Sequence, residues 1–92
     1  MKKKVIARIY IKNEFIDAFK ELAAAMVEKT GKESGCRFYR LFQDVSHPGD
    51  FLFYEEYEDQ SALDIHTKSE YLKKFRENNK HMLEKDALVE VI

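Results

Sequence analysis

Residues 36–58 read CRFYRLFQDVSHPGDFLFYEEYE and carry the clearest structural signal in the chain. Large apolar side chains alternate with other residues through Cys36–Asp44 and again through Phe51–Glu58, a pattern typical of β-strands. Between the two runs, Ser46–Asp50 contains the only proline, followed by a glycine, and this composition favours a turn. We therefore predict an antiparallel β-hairpin.

A strand and a helix are predicted before the hairpin. Val5–Ile11 is rich in β-branched residues and alternates in character, which indicates a strand. Asn13 can cap a following helix, whose apolar residues recur at spacings of three and four. This stripe consists of Phe15, Ala18, Phe19, Leu22, Ala25 and Met26. Gly31 and Gly35 predict where the helix ends.

A helical region and a strand are predicted after the hairpin. Asp59 has the side chain of a helix N-cap, and Ser69 can restart the helix as a second segment through Leu72 and Phe75. Ala87–Ile92 is strand-like and closes the chain. The order β-α-β-β-α-β predicts an α+β, ferredoxin-like fold with a four-stranded antiparallel sheet.

The composition narrows the class of protein. The 92 residues are 45% hydrophobic and 36% charged, with three glycines and one proline, which excludes disordered and low-complexity classes. A formal net charge of −1 argues against nucleic acid as a partner. No apolar run approaches the roughly 18 residues of a membrane helix, and Cys36 is the only cysteine. We expect one cytoplasmic domain over residues 1–92 that binds neither nucleic acid nor membrane.

The hairpin strands carry large side chains on both faces. Phe38 and Phe42 alternate with Tyr39 and Leu41 in the first strand, and the second strand has the same character. Two helices can cover only one face of a sheet, so the other face would expose an aromatic patch larger than monomers usually tolerate. We expect a homodimer in which two sheets pack face to face.

The chain contains no nucleotide-binding, phosphate-loop, zinc or hydrolase motif, and its three histidines lack the spacing of metal ligands. His66 follows Leu63 by three positions, on the helix stripe expected to face the sheet. Histidine ordinarily titrates near neutral pH, which suits proton abstraction. From spacing alone, a histidine packed for structural reasons is the stronger alternative. Likewise, Tyr39 and Tyr57 are either hydroxyl donors or ordinary strand tyrosines.

Four segments follow one another in a characteristic order. They are ESGCRFY (33–39), LFQD (41–44), FLFYEEYED (51–59) and ALDIH (62–66). Together they resemble the antibiotic biosynthesis monooxygenase domain family, which includes small bacterial quinol monooxygenases. The resemblance extends over nearly the whole chain and implies a ferredoxin-like domain whose sheets pair into a dimeric α/β-barrel.

The resemblance implies oxygenation of a quinol or polyphenol without flavin, haem or metal. In such enzymes a substrate anion, held between sheet and helices, reduces O₂ directly. His66 matches the family's helix histidine and is the expected catalytic base, while Glu55 matches a strand carboxylate. The expected substrate-binding residues are Tyr39, Phe53, Glu55, Tyr57, Leu63, Tyr71 and Phe75. The expected partners are an aromatic small molecule, O₂ and a second copy of the chain.

Two positions depart from the family pattern. Tyr57 stands where many members have tryptophan, and Tyr71 stands where many have a second histidine. Tyrosine at position 57 also occurs in relatives that isomerise phosphorylated autoinducer-2, so an isomerase of a small phosphorylated dicarbonyl is the alternative. Such an enzyme requires an anion site, for which Arg37, Arg40 and Lys68 are candidates unless they are ordinary surface charges.

Two further alternatives involve no oxygenation of a quinol. One is a binding protein that retains the pocket without turnover, and the other is haem degradation. The second is disfavoured because the chain has no tryptophan. Stoichiometric O₂ uptake separates the oxygenase from the isomerase and from the binding protein.

Overall fold

The computed structural model describes residues 1–92 and confirms the predicted element order. The elements are β1 (Lys3–Ile11), α1 (Ile16–Gly31), β2 (Cys36–Gln43), β3 (Asp50–Tyr57), α2 (Gln60–Thr67), α3 (Glu70–Asn79) and β4 (Leu83–Val91). The four strands form one sheet in the order β2-β3-β1-β4, and every neighbouring pair is antiparallel. This is the ferredoxin-like topology expected from the sequence.

Several boundaries differ from the sequence prediction. The last strand begins at Leu83 rather than Ala87, because Leu83 already pairs with Ile11 of β1 across an irregular stretch of the ladder. Asn13 does not cap α1; it opens a short 3₁₀ turn, and α1 begins only at Ile16 without a side-chain cap. The sequence pattern did not predict the start of β4, because the charged residues before Ala87 do not alternate with apolar ones as in a typical strand.

Asp59 and Ser69 precede the two helices of the second helical region, but only Asp59 caps the helix that follows it. Asp59 is the predicted N-cap of α2, and its Oδ1 accepts a hydrogen bond from the Ala62 N–H at 2.9 Å. Ser69 separates α2 from α3 as predicted, but its hydroxyl donates to the His66 carbonyl at 2.7 Å instead of capping α3. The hydroxyl thereby satisfies a carbonyl at the end of α2.

The core lies between the sheet and α1. Alternate residues of β1 and β3 face the helices, and they are Val5, Ala7, Ile9, Ile11, Phe51, Phe53, Glu55 and Tyr57. Phe19, Ala23 and Met26 of α1 pack over them and are at most 3% exposed. The contact stripe of α1 is narrower than predicted, because Ala18 and Ala25 lie on its exposed flanks.

The opposite face of the sheet carries no helix. Phe38 of β2 lies edge-on to Tyr54 of β3, with ring centroids 5.5 Å apart, and the Arg40 guanidinium lies over Phe38. Phe42 on the same face is 49% exposed. The two-faced character of the hairpin strands is therefore present in the structure. None of the helices is both long enough and apolar enough to cross a membrane.

Candidate active site

A cavity of about 360 Å³ lies between the sheet and helices α2 and α3. Its walls are mostly apolar, as in small-molecule sites generally. Six of the eight predicted site residues line it, namely Tyr39, Phe53, Glu55, Leu63, His66 and Phe75. Tyr57 and Tyr71 do not; their ring centroids lie 5.4 and 6.5 Å from that of His66. They surround the imidazole rather than the cavity.

His66 is buried at one end of the cavity between two carboxylates. Its Nδ1 lies 3.2 Å from Glu33 Oε2, and its Nε2 lies 3.9 Å from Glu55 Oε1. Side-chain exposure is 4% for His66, 12% for Glu33 and 6% for Glu55. Because an ionised carboxylate only accepts hydrogen bonds, we assign the ring proton to Nδ1. The Nε2 of the neutral ring is then free to accept a proton.

Glu55 is connected to a second buried hydroxyl group. The Tyr57 hydroxyl donates to Glu55 Oε1 at 2.6 Å. Burial raises the pKa of Glu55, although the Tyr57 hydrogen bond and the charges of His66 and Arg76 oppose this effect. Burial also raises the pKa of Tyr57 and that of Tyr39. Both hydroxyls therefore stay protonated at neutral pH, and that of Tyr57 is a hydrogen-bond donor.

The loop between α1 and β2 brings Glu33 to His66. Gly35 in this loop approaches α2 so closely that an added Cβ would lie 2.4 Å from the Ala62 Cβ. The Glu58 N–H donates to the Gly35 carbonyl at 2.8 Å and attaches the loop to the end of β3. Sequence reasoning missed Glu33 because its contact joins residues 33 positions apart. Two local signals were available, namely the position of Glu33 at the start of the segment ESGCRFY and the glycine two residues later.

Aromatic rings form the part of the cavity wall nearest the imidazole. The Phe53 ring centroid lies 5.2 Å from that of Tyr39 in a stacked arrangement and 6.0 Å from that of Phe75 in an edge-on arrangement. The Tyr39 ring lies 5.5 Å from the His66 ring. A flat apolar surface beside an imidazole suits an aromatic substrate that carries a hydroxyl group.

The cations of the cavity are not those selected from the sequence. Arg37 pairs with Glu58 on the surface, Arg40 lies on the opposite face of the sheet, and Lys68 is exposed outside the cavity lining. Arg76 and Lys80 line the cavity instead, together with Asn79. These residues follow the apolar stripe of α3, which was the available signal.

Part of the remaining unpredicted wall belongs to β4, where Leu83, Ala87, Val89 and Val91 line the cavity. The rest comes from Val5, Ala7 and Ile9 of β1 and from Thr67 and Leu72 of the helices. No group of three or more His, Cys, Asp and Glu side chains in the chain is arranged so that it could hold a metal ion.

Comparison with known proteins decides the family. Residues 4–78 match the family described as antibiotic biosynthesis monooxygenase. The chain belongs to this family. The monooxygenase-family relatives include Rv0793 of Mycobacterium tuberculosis, which is 31% identical over 88 residues that cover 96% of this chain and 86% of that protein. A Synechocystis protein, sll1783, is 29% identical over 87 residues, and this chain spans 59% of its length.

Solved structures of similar proteins have the same fold. One described as an antibiotic biosynthesis monooxygenase is 39% identical, with a TM-score of 0.93 over 98% of this chain and 95% of that chain. The structure of Rv0793 superposes with a TM-score of 0.93 at 29% identity, covering 100% of this chain and 93% of that chain. A conserved protein from Methanosarcina mazei has a TM-score of 0.94 at 27% identity, covering 100% of this chain and 91% of that one.

Proposed function

We propose that the protein is a cofactor-independent monooxygenase that oxidises a quinol or polyphenol with O₂. The observation that carries this proposal is the imidazole of His66, which lines an apolar, aromatic cavity, contacts Glu33 through Nδ1 and has its Nε2 3.9 Å from Glu55 Oε1. Family membership supports the oxygenase chemistry. The isomerase alternative uses the same base, so the reaction with O₂ is the property to test.

The proposed reaction begins with proton transfer. A substrate hydroxyl gives its proton to His66 Nε2, and the resulting anion is retained in a cavity whose apolar walls leave it reactive. The imidazolium forms between Glu33 and Glu55, which stabilise its charge. The anion then supplies the electrons that reduce O₂. O₂ adds to a ring carbon, the O–O bond then breaks and that carbon loses its hydrogen as a proton. One oxygen atom therefore stays on the ring, the other leaves as water, and the quinol becomes a hydroxyquinone.

Tyr39 and the phenylalanines of the wall have a different proposed role. Tyr39, Phe53 and Phe75 hold the substrate ring by apolar contact. Leu63 forms another part of the cavity wall. Tyr57 keeps Glu55 oriented through its 2.6 Å hydrogen bond. Tyr71 packs against the imidazole and limits its movement.

Oxygen uptake by metal-stripped protein over a panel of naphthohydroquinones tests the proposal, after subtraction of uptake without protein. We expect uptake well above background and a loss of about 10²–10⁴-fold in His66→Ala, the usual contribution of a general base. His66→Gln retains a hydrogen-bonding side chain but no base, so it is expected to lose activity equally. His47→Ala is the matched control, because His47 lies exposed in the turn between β2 and β3.

The outcome separates the competing functions. Absence of uptake by the folded protein would contradict the oxygenase and favour the isomerase or a binding role. Uptake that survives both His66 variants would contradict the assignment of the base. Binding without turnover would appear as stabilisation by the quinol, which a thermal shift measures.

We also propose that the protein functions as a cytoplasmic homodimer through the helix-free face of the sheet. Phe38, Phe42 and Tyr54 on that face support this, because a second copy would remove them from water. Light scattering is expected to give the mass of two chains, and Phe42→Glu is expected to reduce it toward one. A mass of one chain for the unaltered protein would contradict the dimer. The unpaired Cys36 suits a reducing compartment.

A further inference from the structure

The cavity has two chemically different ends. We infer that its substrate carries an anionic group remote from the reacting hydroxyl, and that Arg76, Asn79 and Lys80 bind this group. The inference rests on the proposed function, because it names the substrate class of the same site. It concerns binding, so it is testable without turnover.

The strand registers define the two ends. Val5 of β1 pairs with Glu55 and Val91, so this end of the cavity holds the carboxylate beside His66. At the other end Ile11 pairs with Leu83, immediately after the turn that begins at Lys80. The cavity lining runs along β1 from Val5 to Ile9, which is about 13 Å at the usual rise per strand residue.

Asn79 is the buried polar group of this second end. It is 4% exposed and lines the cavity beside Phe75 and Leu83, yet its side chain forms no hydrogen bond within the protein. The fully buried polar atoms without a partner belong to Thr30, Glu33 and Tyr71, and the Asn79 amide is not among them, so its atoms remain accessible from the cavity. Its donor and acceptor are therefore available to a molecule in the cavity.

Two cations stand beside this amide. The lysine and arginine ion pairs of the structure are formed by Lys2, Arg8, Lys32, Arg37 and Lys73. Arg76 and Lys80 form none, and both line the cavity. Because the charge of Arg76 also acts on Glu55, Arg76 lies between the two ends, whereas Lys80 lies at the end farther from His66. They lie four positions apart and therefore on one face of the helical segment.

Other cations of α3 show that this arrangement is not a uniform surface charge. The cavity-lining residues of this segment are Leu72, Phe75, Arg76, Asn79 and Lys80, which follow helical spacing. Lys73 and Lys74 are exposed and do not line the cavity. The apolar middle and cationic end therefore match a hydroxylated aromatic acid of about two fused rings, whose anion lies across the ring from the reacting hydroxyl.

Binding of 6-hydroxy-2-naphthoate, compared with binding of its methyl ester, tests the inference. The two probes differ in charge at one end and share the ring and the hydroxyl. The protein has no tryptophan, so the fluorescence of the naphthol ring reports binding directly. We expect the carboxylate to bind about tenfold more tightly, which is modest because Arg76 and Lys80 are exposed to water and salt.

Variants locate the anion-binding end. Arg76→Met with Lys80→Met is expected to remove the preference for the carboxylate while leaving the affinity for the ester within about twofold. Lys74→Met is the matched control on the same helix and should retain the full preference. Equal affinity of the unaltered protein for the two probes would overturn the inference, as would a preference that survives the double variant.

Competition distinguishes the source of the anion. Displacement of the naphthoate by acetate more than by phosphate indicates a carboxylated substrate, and the reverse order indicates a phosphorylated one. Both results uphold an anion-binding end, whereas displacement by neither salt beyond the effect of ionic strength contradicts it. The naphthoate is a monophenol and serves only as a binding probe. Absence of O₂ uptake with the naphthohydroquinones would therefore contradict the proposed function without affecting the evidence for an anion-binding end.

Discussion

Two walls of the same cavity differ in burial although both face the helices. The closed wall is formed by β2, β3 and α2. Its residues are Tyr39, Phe53, Glu55, Leu63 and His66. The open wall, formed by Leu83, Ala87, Val89 and Val91, belongs to β4 at the edge of the sheet. Phe53 is 2% exposed in the closed wall, whereas Val89 is 54% exposed in the open wall.

The two walls differ in burial because different elements cover them. Burial of the closed wall removes water from His66 and Glu55, which strengthens their charge interactions and raises the Glu55 pKa. Edge strand β4 pairs with β1 alone and carries no closely packed helix, so apolar residues such as Val89 and Val91 remain exposed. The same hydrophobic residue types therefore have different roles, according to what covers them.

The largest expected difference between the walls is in stability. Phe53→Ala should lower the free energy of unfolding by about 3 kcal/mol, because it removes a ring that contacts both Tyr39 and Phe75. Val89→Ala, the matched change in the open wall, should cost less than about 0.5 kcal/mol. Urea unfolding measures both, and equal losses would contradict the distinction between the walls.

Gly35→Ala tests how the loop reaches the closed wall. A methyl group at this position would meet the Ala62 Cβ at 2.4 Å, so we expect a loss of about 1–3 kcal/mol and displacement of the loop from α2. Gly31→Ala is the control, because nothing lies within 4 Å of its added Cβ, and a helical alanine is expected to be neutral or stabilising. Similar thermal unfolding of the two variants would show that the close approach is unimportant.

Glu33→Gln tests whether the carboxylate that contacts His66 Nδ1 supports the proposed base. The amide keeps the size of the side chain but holds the imidazolium more weakly, so we expect oxygen uptake at saturating quinol to fall about tenfold with little change in KM. Glu77→Gln should leave uptake unchanged, because Glu77 is exposed on α3 and lies outside the cavity lining. An increase in KM with no change in the rate at saturating quinol would assign Glu33 to substrate binding instead.

The smallest expected effect is the pH dependence contributed by Glu55. Burial raises the pKa of this carboxyl above its ordinary 4.5, so the folded protein retains the proton more strongly than the unfolded chain. Stability from this residue is complete below pH 4.5 and declines as pH rises through the raised pKa. The amide oxygen of Glu55→Gln can still accept the Tyr57 hydrogen bond. As pH rises above 4.5, this variant should therefore gain stability relative to the unaltered protein. Thermal unfolding between pH 4 and pH 8 would contradict this if the difference stayed constant.

The hairpin and the element order were predictable because they depend on local patterns. Alternation in β2 and β3, the turn around the single proline and the cap at Asp59 each involve neighbours in the chain. The start of β4 was not predictable in this way, since Leu83 is a strand residue through its pairing with Ile11. Five of the six predicted residues that line the cavity lie in the matched segments, Phe75 lies beyond them, and the structure brings the six together.

The sequence by itself determined the fold class, the two-faced sheet and the position of His66 on the helix stripe that faces the sheet. Periodicity of two or 3.6 residues is sufficient to assign those features. Only the tertiary structure decided that Glu33 holds Nδ1 of His66, that Tyr57 and Tyr71 surround the imidazole, and that Arg76 and Lys80 replace the cations chosen from the sequence. Those relations join distant residues, and no local pattern specifies the distance between two side chains that meet only when the sheet and helices pack.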